Sequence, residues 1–168
     1  NVLTSGLVDG LIIASAMADG QKLSAAIPKG FPVVLIDRQL PGAPYDAVYV
    51  SSYSAMRMGI DYLIRKGHQK IGFLTGIHSI STTSDRRKGY QDAMDAAGLS
   101  TEHLIRAGTS STKLQAENLD ALLELGCTAL AISNNVLTVE ARILLGKRGL
   151  SVPKDIELLG FLDSDHAQ

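Results

Sequence analysis

Polar side chains that can hydrogen-bond a small molecule follow several short apolar runs in this sequence. Asp37 and Arg38 follow one run, the segment Thr82–Arg86 follows another, and Asn134 follows a third. A carboxylate accepts hydrogen bonds, a guanidinium donates them, and an amide does both. In an open parallel sheet a ligand lies beyond the carboxyl ends of the strands. If the apolar runs are parallel strands, these side chains therefore lie where a ligand is expected.

Each of these residues also has a purely structural interpretation. Asp37 can cap the loop that follows it, and Asn134 can be the N-cap of the next helix. Arg86 can be a solvated residue in the first turn of a helix. A cation there opposes the helix dipole, which favours a functional reason for Arg86. For Asp37 and Asn134 both interpretations stay open.

Residue patterns for catalysis or metal binding are weak. Asp163-Ser164-Asp165 follows an apolar run and resembles the nucleophile motif of haloacid-dehalogenase-type phosphatases, but that family has the motif at the start of its domain. Asp163, Asp165 and His166 could bind a metal, although such a cluster within one loop is more often solvated. The sequence contains no glycine-rich phosphate loop, metalloprotease helix motif or Gly-x-Ser-x-Gly turn. We therefore predict no catalytic residues, bound metal or cofactor.

Short apolar runs alternate with amphipathic helices along most of the chain, which predicts an α/β fold with mainly parallel sheets flanked by helices. The predicted strands are Leu11–Ala14, Val33–Ile36, Ala47–Val50, Ile71–Leu74, Ala129–Ile132 and Ile156–Phe161. The predicted helices are Asp19–Ala26, Ser52–Lys66, Ser84–Ala97, Thr112–Leu125 and Val136–Arg148. Gly67 follows one helix and is a stop signal, and the spacing of Thr112 and Gln115 predicts a capping box.

The composition is that of an ordinary globular protein. The chain has 168 residues, of which 45% are hydrophobic and 20% charged, so it can bury a substantial core. Its net charge of −1 provides no basic footprint for nucleic acid. The one cysteine excludes an internal disulfide. No apolar stretch is long enough to span a bilayer, and the first residues lack the features of a signal peptide.

Six segments of the chain have a characteristic order and spacing. They are Val8–Ile13, Pro32–Arg38, Gly67–Gly72, Arg86–Tyr90, Thr128–Asn135 and Val152–Ile156. No single segment is decisive, but the ordered set is specific. Through these segments the sequence resembles, over essentially its whole length, the lactose/galactose-repressor (LacI/GalR) family of bacterial transcription regulators.

The resemblance implies an effector-binding core of two α/β lobes, hinged around a small-molecule cleft and related to periplasmic sugar-binding proteins. Residues 1–50 are expected to be part of an incomplete N-terminal lobe, and residues 51–168 to be the C-terminal lobe. The chain is then the middle of a longer cytoplasmic protein. Its expected partners are a sugar or sugar-derived effector, operator DNA bound through an N-terminal helix-turn-helix absent from these residues, and a second copy in a homodimer, with no membrane partner.

The resemblance also assigns roles to individual residues. Arg86 matches the effector-contacting arginine of an Arg-x-x-Gly-Tyr pattern, and Asn134 matches an asparagine whose amide meets ligand hydroxyls. Val50 and Ser110 are weaker candidates, by position alone. Leu162 replaces the first aspartate of the family's usual Gly-Phe-Asp-Asp or Gly-Tyr-Asp-Asp, so an acceptor for sugar hydroxyls is lost. We therefore expect an effector with a carboxylate, a phosphate or a less hydroxylated face.

The predicted helix 136–148 has a wider apolar arc than a single sheet contact needs. One stripe contains Val136, Val139 and Ile143, and the remaining apolar residues form a second stripe. Because the family uses this region in its dimer interface, we expect part of the surplus surface to be buried against a second subunit.

A periplasmic sugar-binding protein of a transporter is the alternative to a regulator, because the two share this architecture. Sequence before residue 1 distinguishes them, since a helix-turn-helix indicates a regulator and a signal peptide indicates the transporter component.

Overall fold

The computed structural model describes residues 3, 5–15, 17, 19–76, 81–110 and 113–161. The chain divides into two compact units, Asn1–Ser51 and Ser52–Gln168. Each unit contains its own parallel sheet, and helices connect most of the strands. The predicted α/β class with mainly parallel sheets is therefore confirmed.

The first unit contains a three-stranded parallel sheet, with the strands in the order β1-β2-β3. Residues on successive positions of a strand point to opposite faces, so Leu35 is buried on one face while its neighbours are more exposed on the other. Asp19 caps the helix of this unit, because its Oδ1 accepts a hydrogen bond of 2.9 Å from the Gln21 N–H. The elements are β1 (Leu11–Ile13), α1 (Gly20–Ala25), β2 (Val33–Ile36) and β3 (Asp46–Val48).

The second unit contains a four-stranded parallel sheet in the order β5-β4-β6-β7. The central strands β4 and β6 are buried at every position, as expected for strands of a parallel sheet that is covered on both faces. The elements are α2 (Ser52–Arg65), β4 (Ile71–Thr75), α3 (Ser81–Ala96), β5 (Ile105–Ala107), α4 (Ala116–Glu124), β6 (Ala129–Ile132), α5 (Asn135–Lys147) and β7 (Glu157–Leu159).

Tyr90 anchors α3 to the central strand β4. Its ring stacks on Phe73 with 5.1 Å between centroids, and its hydroxyl donates a 2.8 Å hydrogen bond to the Ile71 carbonyl. Tyr90 is fully buried, and burial raises the pKa of its hydroxyl. A buried phenol needs such a partner, so this hydrogen bond fixes the position of α3 along the sheet.

Gly89 lets α2 and α3 approach closely. A methyl group on Gly89 would lie 2.4 Å from the backbone oxygen of Tyr53 and 3.2 Å from the backbone nitrogen of Arg57, both in α2. The first distance is far below van der Waals contact with an atom that cannot rotate away. In the Arg-x-x-Gly-Tyr pattern, Gly89 thus allows the close contact of α2 and α3, and Tyr90 anchors α3 in the core.

Three details of the predicted elements were wrong. Strand β5 was not predicted. Helix α3 begins at Ser81 rather than Ser84, which puts Arg86 in its second turn. Helix α4 begins at Ala116 and its N-cap, Gln115, makes no side-chain cap hydrogen bond, so the predicted capping box does not start this helix. The Leu114 N–H, just before this helix, donates to the Glu140 carboxylate of α5.

The amino end of the second sheet is closed by a cluster of polar side chains around Glu157. The Lys66 ammonium donates to both carboxylate oxygens at 2.6 Å, and His68 Nε2 lies 3.0 Å from Oε2. The other ring nitrogen of His68 lies 2.8 Å from Thr128 Oγ1. Hydrogen bonding from Lys66, and then from His68, holds the pKa of the Glu157 carboxyl below its ordinary value. The cluster thus joins the end of α2 to β6 and β7.

We expect this cluster to make folding stability depend on acid. Because the pKa of Glu157 is lower in the folded state, its contribution is fully present above its ordinary pKa of about 4.3 and is lost as the pH falls through the lowered value. Glu157→Gln should therefore lower the melting temperature at pH 7, and its difference from wild type should shrink towards pH 3. Glu124→Gln, which removes an exposed carboxylate at the end of α4, is the control for net charge. A difference that is constant with pH would contradict this role for Glu157.

Candidate functional site

The carboxyl edge of the second sheet is followed by four of the residues that the sequence indicated, Thr82, Arg86, Ser110 and Asn134. Helices α2, α3, α4 and α5 begin near this edge, since each runs antiparallel to the strand it precedes or follows. Helix α4 has Glu117 in its first turn, whereas α2, α3 and α5 have no acidic residue there. The N-terminus of a helix carries partial positive charge, so this edge favours an anionic or hydrogen-bond-accepting group.

Arg86 lies at the centre of this edge. Its Nε donates a 3.2 Å hydrogen bond to Ser52 Oγ at the start of α2, and its Nη1 donates to the Ser133 carbonyl just after β6. The guanidinium carbon lies 3.7 Å from the centre of the Phe161 ring, beyond the end of β7. Arg86 is half-buried. These contacts fix its planar fork against three separate elements and make it a rigid donor.

Asn134 caps α5. Its Oδ1 accepts a 2.8 Å hydrogen bond from the Leu137 N–H, and its carbonyl accepts a 2.6 Å hydrogen bond from Thr138 Oγ1. The structural interpretation of Asn134 is therefore confirmed, while a ligand contact stays a prediction. Asn134, which caps α5, directly follows Ser133, and the Ser133 carbonyl accepts the hydrogen bond from Arg86.

The hydroxyl of Ser133 is an unusual feature of this edge. Ser133 is 1% exposed, and its Oγ has no hydrogen-bond partner among the described residues. Thr75, at the end of the neighbouring strand β4, is also 1% exposed. A buried hydroxyl without a hydrogen-bond partner costs free energy, so the Ser133 hydroxyl does not stabilise the fold.

Thr82 and Ser110 lie on two other segments of the second unit. Thr82 is in the first turn of α3, one turn before Arg86, and Ser110 follows β5. Both are partly buried. Since β5 is the edge strand next to β4, both residues follow strands that end at this edge. Their contact with a ligand is a prediction.

The first unit has its own carboxyl edge, where Asp37 follows β2. Asp37 is exposed, and its backbone has a positive φ of 75°. Aspartate is among the few side chains that tolerate this conformation. Its N–H donates a 3.1 Å hydrogen bond to the Val48 carbonyl at the end of β3. Val50 follows β3 and is 78% exposed, so it is available for a contact.

Leu162, the predicted replacement for a sugar-binding aspartate, lies outside the described residues. The same is true of Asp163, Asp165 and His166. Sequence reasoning did not identify Ser52, Ser133 or Phe161, all of which surround Arg86. The only signal for them was position, because each lies at a boundary between a predicted element and a loop.

Helix α5 presents a separate apolar surface. Leu137, Ala141 and Leu145 face the core and are at most 1% exposed. Val136 and Ile143, by contrast, are 41% and 52% exposed, and Val139 between them is partly exposed. The two predicted stripes of this helix therefore have different environments, and the outer stripe is free of the core.

Comparisons with known proteins agree on one family. The model for periplasmic binding proteins and the sugar-binding domain of the LacI family matches residues 1–163. The HTH-type transcriptional regulator GalR of Escherichia coli K12 is 30% identical over 156 residues, which are 91% of this chain and 46% of GalR. The chain spans about half the length of the curated relatives it matches.

Two solved structures show the same fold. A sugar-binding LacI-family transcriptional regulator from Escherichia coli, complexed with phosphate, has a TM-score of 0.78 and 29% identity, covering 94% of this chain and 58% of that one. A LacI-family regulatory protein from Chloroflexus aggregans has a TM-score of 0.83 and 27% identity, covering 99% of this chain and 61% of that one. Among the helices in the described ranges, none is long and apolar enough to cross a membrane.

Proposed function

This chain belongs to the family of periplasmic binding proteins and LacI-type sugar-binding domains, and we propose that it is the effector-binding core of a bacterial transcription regulator. A small polar ligand that binds one conformation of the core more tightly shifts the population towards it and so changes affinity for operator DNA. DNA contact is assigned to a helix-turn-helix outside these residues, and the site of action is the cytoplasm. The first unit is assigned to the N-terminal lobe and the second to the C-terminal lobe. The curated relatives are transcriptional regulators, which favours this function over a transporter component.

The observation that carries the proposal is the surroundings of Arg86. Its guanidinium is held by Ser52, by the Ser133 carbonyl and by the Phe161 ring at the carboxyl edge of the sheet, where ligands of such folds lie. Asn134 and Thr82 are the further proposed contacts from the second unit. Asp37 and Val50 are the proposed contacts from the first unit.

We propose that the effector is a sugar derivative with an anionic group. Arg86 and the three helix N-termini without acidic residues in their first turns supply positive potential, and Leu162 removes a hydroxyl acceptor.

The test of this function uses the intact protein. Its operator is first isolated by selection from random DNA, and operator affinity is then measured with D-glucose, D-glucuronate and D-glucose 6-phosphate. We expect specific binding that at least one acidic sugar changes more than the neutral sugar does. An intact protein that binds no DNA sequence specifically would contradict the function, and a response to the neutral sugar alone would contradict the effector class.

We further propose a homodimer that buries the outer stripe of α5, which contains Val136, Val139 and Ile143. Isolated exposed apolar residues are common, but three on one helix face form a continuous strip that a second copy can cover.

Ile143→Glu is expected to convert the dimer to monomer at micromolar concentration, because a carboxylate would be buried in an apolar interface. Analytical ultracentrifugation measures the change. Lys147→Glu, which places the same charge one turn further along the exposed helix, is the control and should leave the dimer intact. Dimerisation unaffected by Ile143→Glu would exclude this surface.

A further inference from the structure

Arg38 is a buried cation at the carboxyl edge of the first sheet. It is only 8% exposed. Its Nε donates a 2.8 Å hydrogen bond to the Ser15 carbonyl, its Nη2 donates to the same carbonyl, and Nη2 also lies 2.9 Å from the Met17 carbonyl. Both acceptors belong to the segment that follows β1, while Arg38 follows β2. The guanidinium thus binds the main chain of a neighbouring loop.

The residue before Arg38 completes this connection. Asp37 turns the chain with its positive φ, and its N–H binds the Val48 carbonyl at the end of β3. Residues 37 and 38 therefore join the carboxyl ends of all three strands of the first sheet. Asp37 contacts the end of β3 through its backbone N–H, and Arg38 contacts the segment after β1 through its guanidinium.

The chemistry of this arrangement favours a loop held in one conformation. The Met17 N–H donates a 3.1 Å hydrogen bond to Ser15 Oγ, so Ser15 and Met17 are also joined to each other. Both of their carbonyls point to Arg38, and a guanidinium can serve both because its donors have fixed, divergent directions. Lysine keeps the charge but is a point donor without that fork.

We propose that Arg38 is a positioning residue for effector binding, which fixes the Ser15–Met17 segment and the adjacent Asp37 carboxylate before the effector arrives. The proposal rests on the proposed function, because it assumes that the carboxyl edge of the first sheet meets the effector. Arg38 itself faces the loop carbonyls. Arg38 raises effector affinity because a loop that is already ordered loses less conformational entropy when the effector binds.

The experiment compares Arg38→Lys with Leu35→Val in the intact protein. Leu35 is buried on the covered face of β2, so Leu35→Val destabilises the same unit without changing a contact of the loop. Two readouts are used for each variant. One is hydrogen–deuterium exchange of residues 15–17 without ligand, and the other is calorimetric titration with D-glucose 6-phosphate, D-glucuronate and D-glucose.

We expect Arg38→Lys to accelerate exchange in the loop and to weaken the best of the three probes by roughly tenfold. Leu35→Val should lower the melting temperature with little change in either readout. The proposal is overturned if affinity follows stability equally in both variants, or if exchange in the loop does not change in Arg38→Lys. If no probe binds wild type, the proposed effector class fails, and unchanged exchange then also overturns the role of Arg38.

Discussion

Arg86→Ala is expected to weaken binding of an acidic effector by roughly tenfold or more. A hydrogen bond to a charged group is worth about 1.5–3 kcal/mol, and each 1.4 kcal/mol corresponds to about a factor of ten in affinity. Isothermal titration of the intact protein with D-glucose, D-glucuronate and D-glucose 6-phosphate measures the loss. The acidic probes should lose more than the neutral one.

The contacts of Arg86 make a structural control necessary. Alanine removes the bonds to Ser52 and to the Ser133 carbonyl, so part of the effect could come from a displaced edge. Arg148→Ala is the matched control, because Arg148 binds the Asp120 carboxylate through two donors at the other end of α5. If both variants lose the same stability but only Arg86→Ala loses affinity, the effect is on ligand binding. Tight binding of a neutral hexose that Arg86→Ala leaves unchanged would exclude the anionic effector.

Leu162→Asp probes the same site from the opposite direction. The introduced carboxylate should weaken binding of an acidic effector, because the two negative charges repel each other. It should also restore an acceptor for the hydroxyls of a neutral sugar. This expectation rests on the sequence alone, since Leu162 lies outside the described residues.

Elements with strong local signals were predicted well. Gly67 ends α2 with a φ of 97°, a conformation that favours glycine, and the apolar run Ile71–Leu74 is a buried central strand. Local chemistry also gave the N-cap as one of two interpretations of Asn134, and the structure confirms that cap. In these cases the residues that decide the structure lie within a few positions of each other.

The errors arose where distant residues decide the structure. Strand β5 contains Arg106 between Ile105 and Ala107, which is too short and too polar for a signal, and it forms because β4 offers it a partner. Likewise, α4 begins at Ala116 and not at the predicted capping box, and the Leu114 N–H binds the Glu140 carboxylate, which lies 26 residues away. Local propensity cannot reveal either contact.

The proposed site shows the same limit. Arg86 could be selected as a candidate from the sequence, but the three groups that contact it come from α2, from the end of β6 and from beyond β7. Their separation from Arg86 is 34 residues for Ser52 and 47 for Ser133. Only the folded sheet brings them together, so the sequence indicated the donor and not its rigidity.

Gly89→Ala is expected to destabilise the second unit, although alanine is the better helix former by about 1 kcal/mol. The added methyl would lie 2.4 Å from the Tyr53 backbone oxygen, so α2 and α3 would have to separate. Overpacking of this kind typically costs about 1–3 kcal/mol. We therefore expect a lower melting temperature in calorimetry.

Gly146→Ala is the matched control, because Gly146 also lies within a helix, α5, and an added methyl there would meet nothing within 4 Å. That substitution should stabilise by roughly 0.5–1 kcal/mol, so the two variants should change the melting temperature in opposite directions. Stabilisation by Gly89→Ala would show that the two helices can separate without cost.

Arg86 lies one turn before Gly89 in α3, so separation of the helices would also draw its guanidinium away from Ser52. Gly89→Ala should therefore weaken an acidic effector as well, which makes the close contact of α2 and α3 a condition for the geometry of the site.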